Sequence, residues 1–411
     1  MLSLDWLSKD GKLILSARIA RAFAYGFLSI IIGIYLKLAG FSEIQIGIVL
    51  SATLVNSVIF TLLASFYADR IGRKKILIIY GILMGVSGAI FLATNNFVAL
   101  IVAALIGTIN VTGSETGAFL SIEQSVLPQT VNDAKKRTTA FAIYNTVGTL
   151  AMAAGVLLSG LPEFIGQAFG FGQIDSIKPL FLLYSVIAVA VTVIYFLLSK
   201  NIELRADPAD KKEHPNTLSA ESKKRIGKLS ALFAVDSFAG GFVIQSIVSY
   251  WFFTRFGVDL PILAMIFSIA GVLTALSFLA ATKIAGKIGL INTMVTTHIA
   301  SNVLLILVAF APIFPIALGL YLARMSISQM DVPTRQSYIV AIVNDKERTA
   351  AAGITNTSRN IAQAVSPSIT GMIIQSLWLS APFVIGGVLK IAYDIGLYVN
   401  FRKIKPAEET Q

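Results

Sequence analysis

Long apolar runs alternate with short polar breaks along the whole chain. A helix needs about 20 mostly apolar residues to cross a bilayer. By this length the pattern predicts twelve spanning helices, at residues 14–37, 44–66, 76–94, 97–121, 138–160, 178–199, 228–252, 261–281, 290–311, 313–334, 349–376 and 380–401. Barrel strands would instead alternate apolar and polar residues, and these runs do not. The sequence therefore predicts an all-α integral membrane protein.

The two halves of the chain resemble one another. The matching segments are RAFAYGF (21–27) with DSFAGGF (236–242), ADRIG (68–72) with AGKIG (285–289), and EQSVLPQTVND (123–133) with RQSYIVAIVND (335–345). These matches predict two pseudo-symmetric six-helix bundles, with a substrate site between them near the middle of the membrane. The predicted domains are an N-terminal bundle over 1–199, a cytoplasmic linker over 200–227, a C-terminal bundle over 228–402 and a tail over 403–411.

Composition and charge agree with a membrane protein. The chain is 55% hydrophobic and 13% charged, and its mean hydropathy is +0.77. Basic residues concentrate in alternate polar breaks, whereas the other breaks hold only Lys37, Lys178 and Arg255. Because basic loops resist translocation, both termini are predicted to be cytoplasmic, in a cell (inner or plasma) membrane.

The net charge and the counts of cysteine and histidine also decide which partners and sites are expected. The formal charge of +11 is scattered through the breaks rather than gathered in a patch, so no nucleic-acid partner is expected. With no cysteine and two distant histidines, we expect neither disulfides nor a metal site. The expected partners are a small-molecule substrate and the lipid bilayer, and the protein is expected to be a monomer.

The most highly charged break, ASFYADRIGRKK (64–75), lies between the second and third helices. Its core, DRIGRK (69–74), resembles the signature loop of the major facilitator superfamily (MFS), and the topology and repeat extend that resemblance to the whole chain. Ser65 stands where the family usually has glycine. The resemblance implies a conformational latch formed by Asp69, Arg70, Gly72 and Arg73. In it, Asp69 meets the start of helix 11, glycine allows the turn, and the basic residues anchor the loop to the inner leaflet.

Ionisable side chains inside spans are costly and are candidates for function. The resemblance implies that helices 1, 4, 7 and 10 line the central cavity. At 1.5 Å per residue, four charges on these helices fall in one layer, which we predict to be the substrate and proton-coupling site: Arg21, Glu115, Asp236 and Arg324. The repeat aligns Arg21 with Asp236, which suggests that they form a buried pair. The alternative is a purely structural network, and that interpretation is preferred for Arg18, Glu123 and Arg335, which lie nearer the water.

Further residues could line the cavity, namely Tyr25, Asn145, Gln245, Asn356, Arg359 and Asp331. Asp331 with Arg335, and Lys390 with Asp394, are four residues apart and are predicted to form local pairs within one helix. His298 is predicted to be a packing residue.

These features predict a secondary transporter that works by alternating access and exports drugs or small metabolites in exchange for protons. It would be driven by an ion gradient and need no bound cofactor. No nucleotide-binding pattern and no catalytic constellation occur, so the protein is not expected to be an enzyme. The alternatives are an organic-anion exchanger or uptake permease, with Arg21 and Arg324 holding the anion in the exchanger, and a non-transporting membrane receptor.

Overall fold

The structure is a computed structural model that describes residues 6–113, 117–131, 137–203, 219–341 and 348–402. The first half contains the helices α1 (Lys9–Leu38), α2 (Glu43–Ile71), α3 (Arg73–Ala93), α4 (Phe97–Ile106), α5 (Ala118–Val126), α6 (Arg137–Leu158), α7 (Leu161–Phe169) and α8 (Gln173–Phe196). The second half contains α9 (Ala220–Gly241), α10 (Gln245–Phe256), α11 (Leu260–Ile288), α12 (Leu290–Ala309), α13 (Phe314–Met325), α14 (Asp331–Ala341), α15 (Arg348–Ser376) and α16 (Ala381–Phe401).

Nine helical stretches in the described residues are long and apolar enough to cross a membrane. The other three predicted spans differ from this simple form. α4 and α13 are shorter apolar helices, because the fourth and tenth predicted spans are interrupted. α15 has the length of a span but carries the polar run TNTSRN at 355–360. The all-α membrane fold is as predicted, whereas unbroken fourth and tenth spans are a wrong expectation.

The interruption of the fourth span follows from its residues. Between α4 and α5 the described chain is irregular, and Gly113 and Gly117 have φ values of 75° and 108°, which side chains other than glycine rarely adopt. The Asn110 side-chain oxygen accepts hydrogen bonds from the backbone N–H groups of Thr112 (3.1 Å) and Gly113 (3.0 Å). An asparagine that bonds to the backbone in this way offers the chain an alternative to the helix.

The seventh predicted span is also divided, at residues 242–244 between α9 and α10. Its repeat counterpart, α1, is continuous over 30 residues. The aligned segments differ at one telling position, since Tyr25 in α1 corresponds to Gly240 in α9. The pair Gly240–Gly241 at the end of α9 weakens the helix, because each glycine costs about 1 kcal/mol relative to alanine.

Two glycines confirm the structural repeat. Gly72 joins α2 to α3 with a φ of 107°, and Gly289 joins α11 to α12 with a φ of 85°. They occupy matched positions in ADRIG and AGKIG, so both halves make the same sharp turn there.

The chain divides into two compact units, Met1–Asp207 with Ile244–Ser268, and Pro208–Val243 with Ile269–Gln411. We call them the N-terminal and C-terminal units. One boundary, between Asp207 and Pro208, falls within the predicted linker, but the division also assigns α10 and the start of α11 to the N-terminal unit. α10 in particular contacts α1, so the break at 242–244 is where the chain passes from one unit to the other.

Candidate functional site

A fully buried ion pair lies within the N-terminal unit. Arg21 on α1 donates two parallel hydrogen bonds to Glu123 on α5, at 3.0 Å (Nη1 to Oε1) and 2.8 Å (Nη2 to Oε2). Neither side chain is exposed. The hydroxyls of Tyr144 and Tyr195 donate to the same carboxylate at 2.6 and 2.7 Å. Arg21 also donates to the Tyr195 hydroxyl, and its guanidinium lies 4.4 Å from the centre of the Phe119 ring.

We call these residues, Arg21, Glu123, Tyr144 and Tyr195, the Arg21 network. Its carboxylate accepts four hydrogen bonds and its arginine makes a bidentate contact, which is the strong geometry for this pair. Four helices contribute to it: α1, α5, α6 and α8. Such a network is stabilising once complete and costly to break, because either charge alone would be left unpaired in a dry interior.

A second cluster of charges lies in the C-terminal unit and is organised differently. The carboxylate of Asp236 on α9 is shared among several basic groups: Lys390 Nζ at 2.6 Å, His298 Nε2 at 3.7 Å, and Arg335 Nη1 and Arg359 Nη1 at 3.8 Å each. Asp236 is 3% exposed. The basic groups come from α16, α12, α14 and α15, so one carboxylate connects five helices.

His298 links this carboxylate to another. Its Nδ1 lies 2.7 Å from Asp394 Oδ1 on α16, and Asn302 donates to the other oxygen of Asp394 at 3.2 Å. The ring of Tyr393 packs edge-on against the imidazole. Arg335 donates to Asp331 at 2.6 Å. We call the set formed by Asp236, His298, Asp331, Arg335, Arg359, Lys390 and Asp394 the Asp236 network.

The repeat relates the two networks with their charges reversed. Arg21 aligns with Asp236, and Glu123 aligns with Arg335. The pair Arg21–Glu123 therefore corresponds to the pair Asp236–Arg335. This corrects the predicted pairing of Arg21 with Asp236, since each already has a partner of opposite charge within its own unit. The signal was present in the sequence, because two aligned positions that both reverse sign indicate a pair inside each half.

Arg324, at the end of α13, differs from the other predicted coupling residues. It is 8% exposed, and in the described part of the chain its guanidinium makes no ion pair. Nη1 donates instead to the thioether sulfur of Met325 at 3.5 Å, and Nε has no hydrogen-bond partner there. Removing an ion from water costs several kcal/mol, whereas a helix C-terminus contributes at most about 2 kcal/mol to a cation.

α10 is fastened to α1 and to the interrupted fourth span by serine hydroxyls. Ser246 Oγ donates to the carbonyls of Ser29 (2.7 Å) and Val111 (3.0 Å), and Ser249 Oγ donates to the carbonyl of Ile30 (2.8 Å). The backbone N–H of Ser246 also donates to Val111 O, at 3.2 Å. A carbonyl freed by the break between α4 and α5 is therefore satisfied by α10.

Tyr250, one turn further along α10, extends this contact. Its hydroxyl donates to Glu43 at 3.1 Å, and Glu43 pairs with Lys37 at 2.6 Å. We call the contacts of Ser246, Ser249 and Tyr250 the α10 lock.

The comparisons with known proteins agree with this architecture. The family model described as Major Facilitator Superfamily matches residues 14–330. The chain belongs to the major facilitator superfamily. It is 28% identical over 423 residues to an uncharacterised membrane protein of Saccharomyces cerevisiae, covering 96% of this chain and 94% of the yeast protein.

Solved structures of this superfamily share the fold. A variant of the nucleoside transporter NupG superposes with a TM-score of 0.76 at 13% identity, covering 95% of this chain and 99% of that one. A D-xylose–proton symporter gives 0.73 at 14% identity, with 98% of each chain covered. A variant of the peptide transporter POT gives 0.75 at 14% identity, covering 98% of this chain and 96% of that one. Because the chain belongs to the major facilitator superfamily, the protein is a secondary transporter rather than an enzyme.

The residues of the MFS signature loop are only partly visible. Asp69 and Arg70 belong to the last turn of α2, and their side chains lie outside the described part, as does all of Glu115. Gly72 makes the predicted turn. Arg73 is only 7% exposed, so its predicted role as a lipid anchor is wrong. Its backbone N–H donates to Glu203 at 2.7 Å, and this carboxylate therefore caps the start of α3.

Several other predictions about this MFS protein can be compared with the structure. Asp331 and Arg335 form the predicted local pair. The predicted pair of Lys390 with Asp394 is wrong, because Lys390 turns to Asp236 and Asp394 binds His298. The structural interpretation of Glu123 stays a prediction; the residue is fully buried within the protein, which its predicted position near the water does not indicate.

The predicted cavity residues are dispersed. Tyr25 is buried and lines a cavity of about 20 Å³ beside the break in the fourth span. This cavity has room for about one water. Gln245 donates to Ser29 Oγ at 3.0 Å and thus belongs beside the α10 lock. Asn145 and Asn356 are exposed on α6 and α15. Arg359 and Asp331 belong to the Asp236 network.

Proposed function

We propose that this MFS protein is a proton-coupled transporter that exports small molecules by alternating access, and that the Asp236 network is its proton-coupling site. The D-xylose–proton symporter with the same fold supports proton coupling on this scaffold. Of the residues predicted from sequence, Asp236 keeps the coupling role. Arg21 has a structural role in a closed pair, and Glu115 stays a predicted coupling residue.

One observation carries the proposal: His298 lies between two buried carboxylates, 2.7 Å from Asp394 and 3.7 Å from Asp236. Histidine commonly serves as a proton shuttle in proteins. Among the described residues, the charged groups of this network are Asp236 on α9, Asp394 and Lys390 on α16, Asp331 and Arg335 on α14, and Arg359 on α15. With a neutral imidazole these groups carry three negative and three positive charges.

Protonation of His298 changes this balance. The imidazolium becomes a fourth cation, and it competes with Lys390 for the carboxylate of Asp236. Release of the proton returns Asp236 to Lys390. Because the competing groups sit on α9, α12 and α16, the exchange shifts the relative stability of two arrangements of these helices, which is what coupling requires.

The covalent path from this network to the α10 lock is short. α9 carries Asp236 and ends five residues later at the break of the seventh span, beyond which α10 begins. A change in the position or tilt of α9 is therefore transmitted to α10 through residues 242–244. Discontinuous helices of this kind commonly form the substrate and ion sites of transporters.

The orientation and the latch complete the proposal. The basic breaks favour cytoplasmic termini in a cell membrane, which makes the α10 lock an extracellular closure. Asp69, Arg70, Gly72 and Arg73 would form the cytoplasmic latch, with Gly72 as its turn and with Arg73 held by the cap that Glu203 gives to α3. We propose that the protein works as a monomer.

Transport by reconstituted protein tests the proposal. Proteoliposomes are loaded with labelled nucleosides, sugars, short peptides or amphiphilic dyes, and a pH gradient is imposed in each direction. We expect at least one compound to move against its gradient only when protons move the other way. In His298→Gln the accumulation driven by the pH gradient should fall about ten-fold or more, the size of a typical coupling free energy, while exchange without a gradient persists.

Thr296→Val is the matched control, since Thr296 is an exposed residue on the same helix, and it should keep full coupling. Accumulation that survives a protonophore, or equal coupling in wild type and His298→Gln, contradicts the proposal. Cotransport in the direction of the proton gradient would instead identify uptake, and a requirement for a counter-anion would identify exchange.

A further inference from the structure

Arg324 is a buried cation for which the described part of the protein supplies no anion. The other arginines of the predicted cavity layer and of the Asp236 network are neutralised, because Arg21, Arg335 and Arg359 each lie within 4.0 Å of a carboxylate. Arg324 lies on one of the helices that carry the MFS cavity prediction and is almost as deeply buried as they are, but it has no such neighbour. Charged groups at membrane depth are rare without a partner and commonly mark a substrate pathway.

The hydrogen bonding around Arg324 has a surplus of donors. Its Nη1 donates to the sulfur of Met325 at 3.5 Å, and the hydroxyl of Ser328, which is 4% exposed, points to the same sulfur at 3.8 Å. A thioether is a weak acceptor. Two buried donors therefore share one poor acceptor, and the Nε–H of Arg324 has no acceptor in the described residues. An oxyanion would satisfy these donors far better.

Arg324 stands at the end of a helix, beside non-helical backbone. It lies in the last turn of α13, directly before the interruption of the tenth span at residues 326–330. Non-helical backbone at membrane depth is tolerated where it is buried in protein or lines a water-filled cavity. The guanidinium offers a planar fork that matches the two oxygens of a carboxylate or phosphate group.

We propose that Arg324 binds an anionic oxygen group of the transported molecule, so that the substrate is an organic anion carrying a carboxylate or a phosphate. The proposal rests on the function proposed above, and it names the substrate class. Ser328 supplies a neutral donor beside the guanidinium. Arg21, predicted from the sequence to be a second anion-holding group, is excluded from this role by its closed pair with Glu123.

Anion-dependent stability of the purified protein tests this assignment. The melting temperature of the full chain in lipid nanodiscs is measured in potassium acetate, citrate, phosphate and sulfate at equal ionic strength, with potassium chloride as the reference. We expect at least one of these anions to stabilise wild type in a saturable way. Preference for acetate and citrate identifies a carboxylate substrate, and preference for phosphate and sulfate identifies a phosphorylated one.

Variants of Arg324 assign the effect to this side chain. In Arg324→Gln the apparent Kd of the stabilising anion should rise about thirty-fold or more, because one partner of a buried charge pair is removed. Arg324→Lys should weaken binding by a smaller factor, since it keeps the charge but loses the fork. Arg225→Gln is the control, because Arg225 is an arginine on α9 that pairs with Glu221 at the surface, and it should bind as wild type does.

The melting temperature of the protein in chloride, without a stabilising anion, is a second and independent test. Because Arg324 is buried without a counter-ion, Arg324→Met should leave the melting temperature in chloride unchanged or raise it. A lower melting temperature in chloride, no stabilisation of wild type by any of the four anions, or equal stabilisation of Arg324→Gln would each overturn the proposal. The assay needs no transport, so a failure of proton coupling in His298→Gln would not affect its result.

Discussion

The two halves of the repeat place opposite charges at the same two positions and build different kinds of network on them. Arg21 and Glu123 satisfy each other completely, with two parallel hydrogen bonds and two tyrosine hydroxyls on the carboxylate. Asp236 is shared among four basic groups, of which only Lys390 lies closer than 3.7 Å. A carboxylate whose hydrogen bonds are all satisfied by close partners has one favourable arrangement, whereas a carboxylate shared among several basic groups has several. We infer that the N-terminal network is a scaffold and the C-terminal network is a switch.

The helices that carry these charges show the same contrast. α1 continues without interruption past Arg21, while the helix that carries Asp236 ends at Gly241 and restarts as α10. The continuous helix belongs to the closed network and the divided helix to the shared one. The duplicated segment is therefore one continuous helix in the first half of the chain and two separate helices in the second half.

The strongest way to break the comparison is to remove one member of the Arg21 network. Arg21→Met leaves the carboxylate of Glu123 buried without a counter-ion, which should lower the free energy of unfolding by about 3–5 kcal/mol. The measurement is unfolding of the purified protein in mixed micelles by increasing denaturing detergent.

The double variant Arg21→Met/Glu123→Leu provides the control. It removes both charges and should recover most of the loss, because replacing a buried ion pair by apolar residues is often neutral. A single variant that unfolds within about 0.5 kcal/mol of wild type, the size of an ordinary surface change, would show that Arg21 and Glu123 are not the scaffold that we infer.

Sequence reasoning recovered the parts of the fold that depend on long patterns. Apolar runs predicted the spans, and the repeated segments predicted the duplication and the turn at Gly72. The division of the seventh span was missed, although Gly240 and Gly241 stand where α1 has Tyr25 and Gly26. Two adjacent glycines weaken a helix but do not by themselves end it, and the docking of α10 onto α1 decides the outcome.

The site could be predicted only in part, because spacing along one helix says nothing about the helix that faces it. Lys390 and Asp394 are four residues apart and were expected to meet, but each has a better partner across the interface, Asp236 and His298 respectively. The burial of Glu123 could not be predicted from depth along a straight helix, because the fourth predicted span is interrupted between α4 and α5, before this residue.

Substitutions at Gly26 and at the adjacent glycines Gly240 and Gly241 test the contrast between the continuous helix α1 and the divided pair α9 and α10. An added Cβ at Gly241 would collide with Ser366 on α15, just as one at Gly26 would collide with the backbone of α6. Gly241→Ala should therefore cost about 1–3 kcal/mol by overpacking, and Gly26→Ala a similar amount. The measurement is the same detergent unfolding.

Gly240→Ala is the matched control, because a Cβ there would meet only the Lys390 side chain, at 3.6 Å or more. Alanine favours the helix over glycine by about 1 kcal/mol, so this variant should be as stable as wild type or more so. It should also transport more slowly, because the end of α9 becomes stiffer. Equal losses of stability at Gly240 and Gly241 would contradict the assigned contact with Ser366.

The prediction with the smallest expected effect tests whether α10 can move away from α1. Ser246→Ala removes the hydroxyl that bonds Ser29 O and Val111 O and keeps the backbone bond to Val111, so the α10 lock should weaken by about 1 kcal/mol. Since the chain has no cysteine, Ile30→Cys introduces a single thiol in a fully buried position of α1, beside Ser249. A membrane-impermeant thiol reagent should label this cysteine about five-fold faster when Ser246 is alanine, the factor that 1 kcal/mol represents at equilibrium.

Ser277→Ala is the matched control, because that buried serine bonds within its own helix and its loss should leave the labelling rate unchanged. If Ser246→Ala labels no faster than this control, α10 moves with α1 as one body, and the division of the seventh span is a fixed feature of the fold rather than a gate.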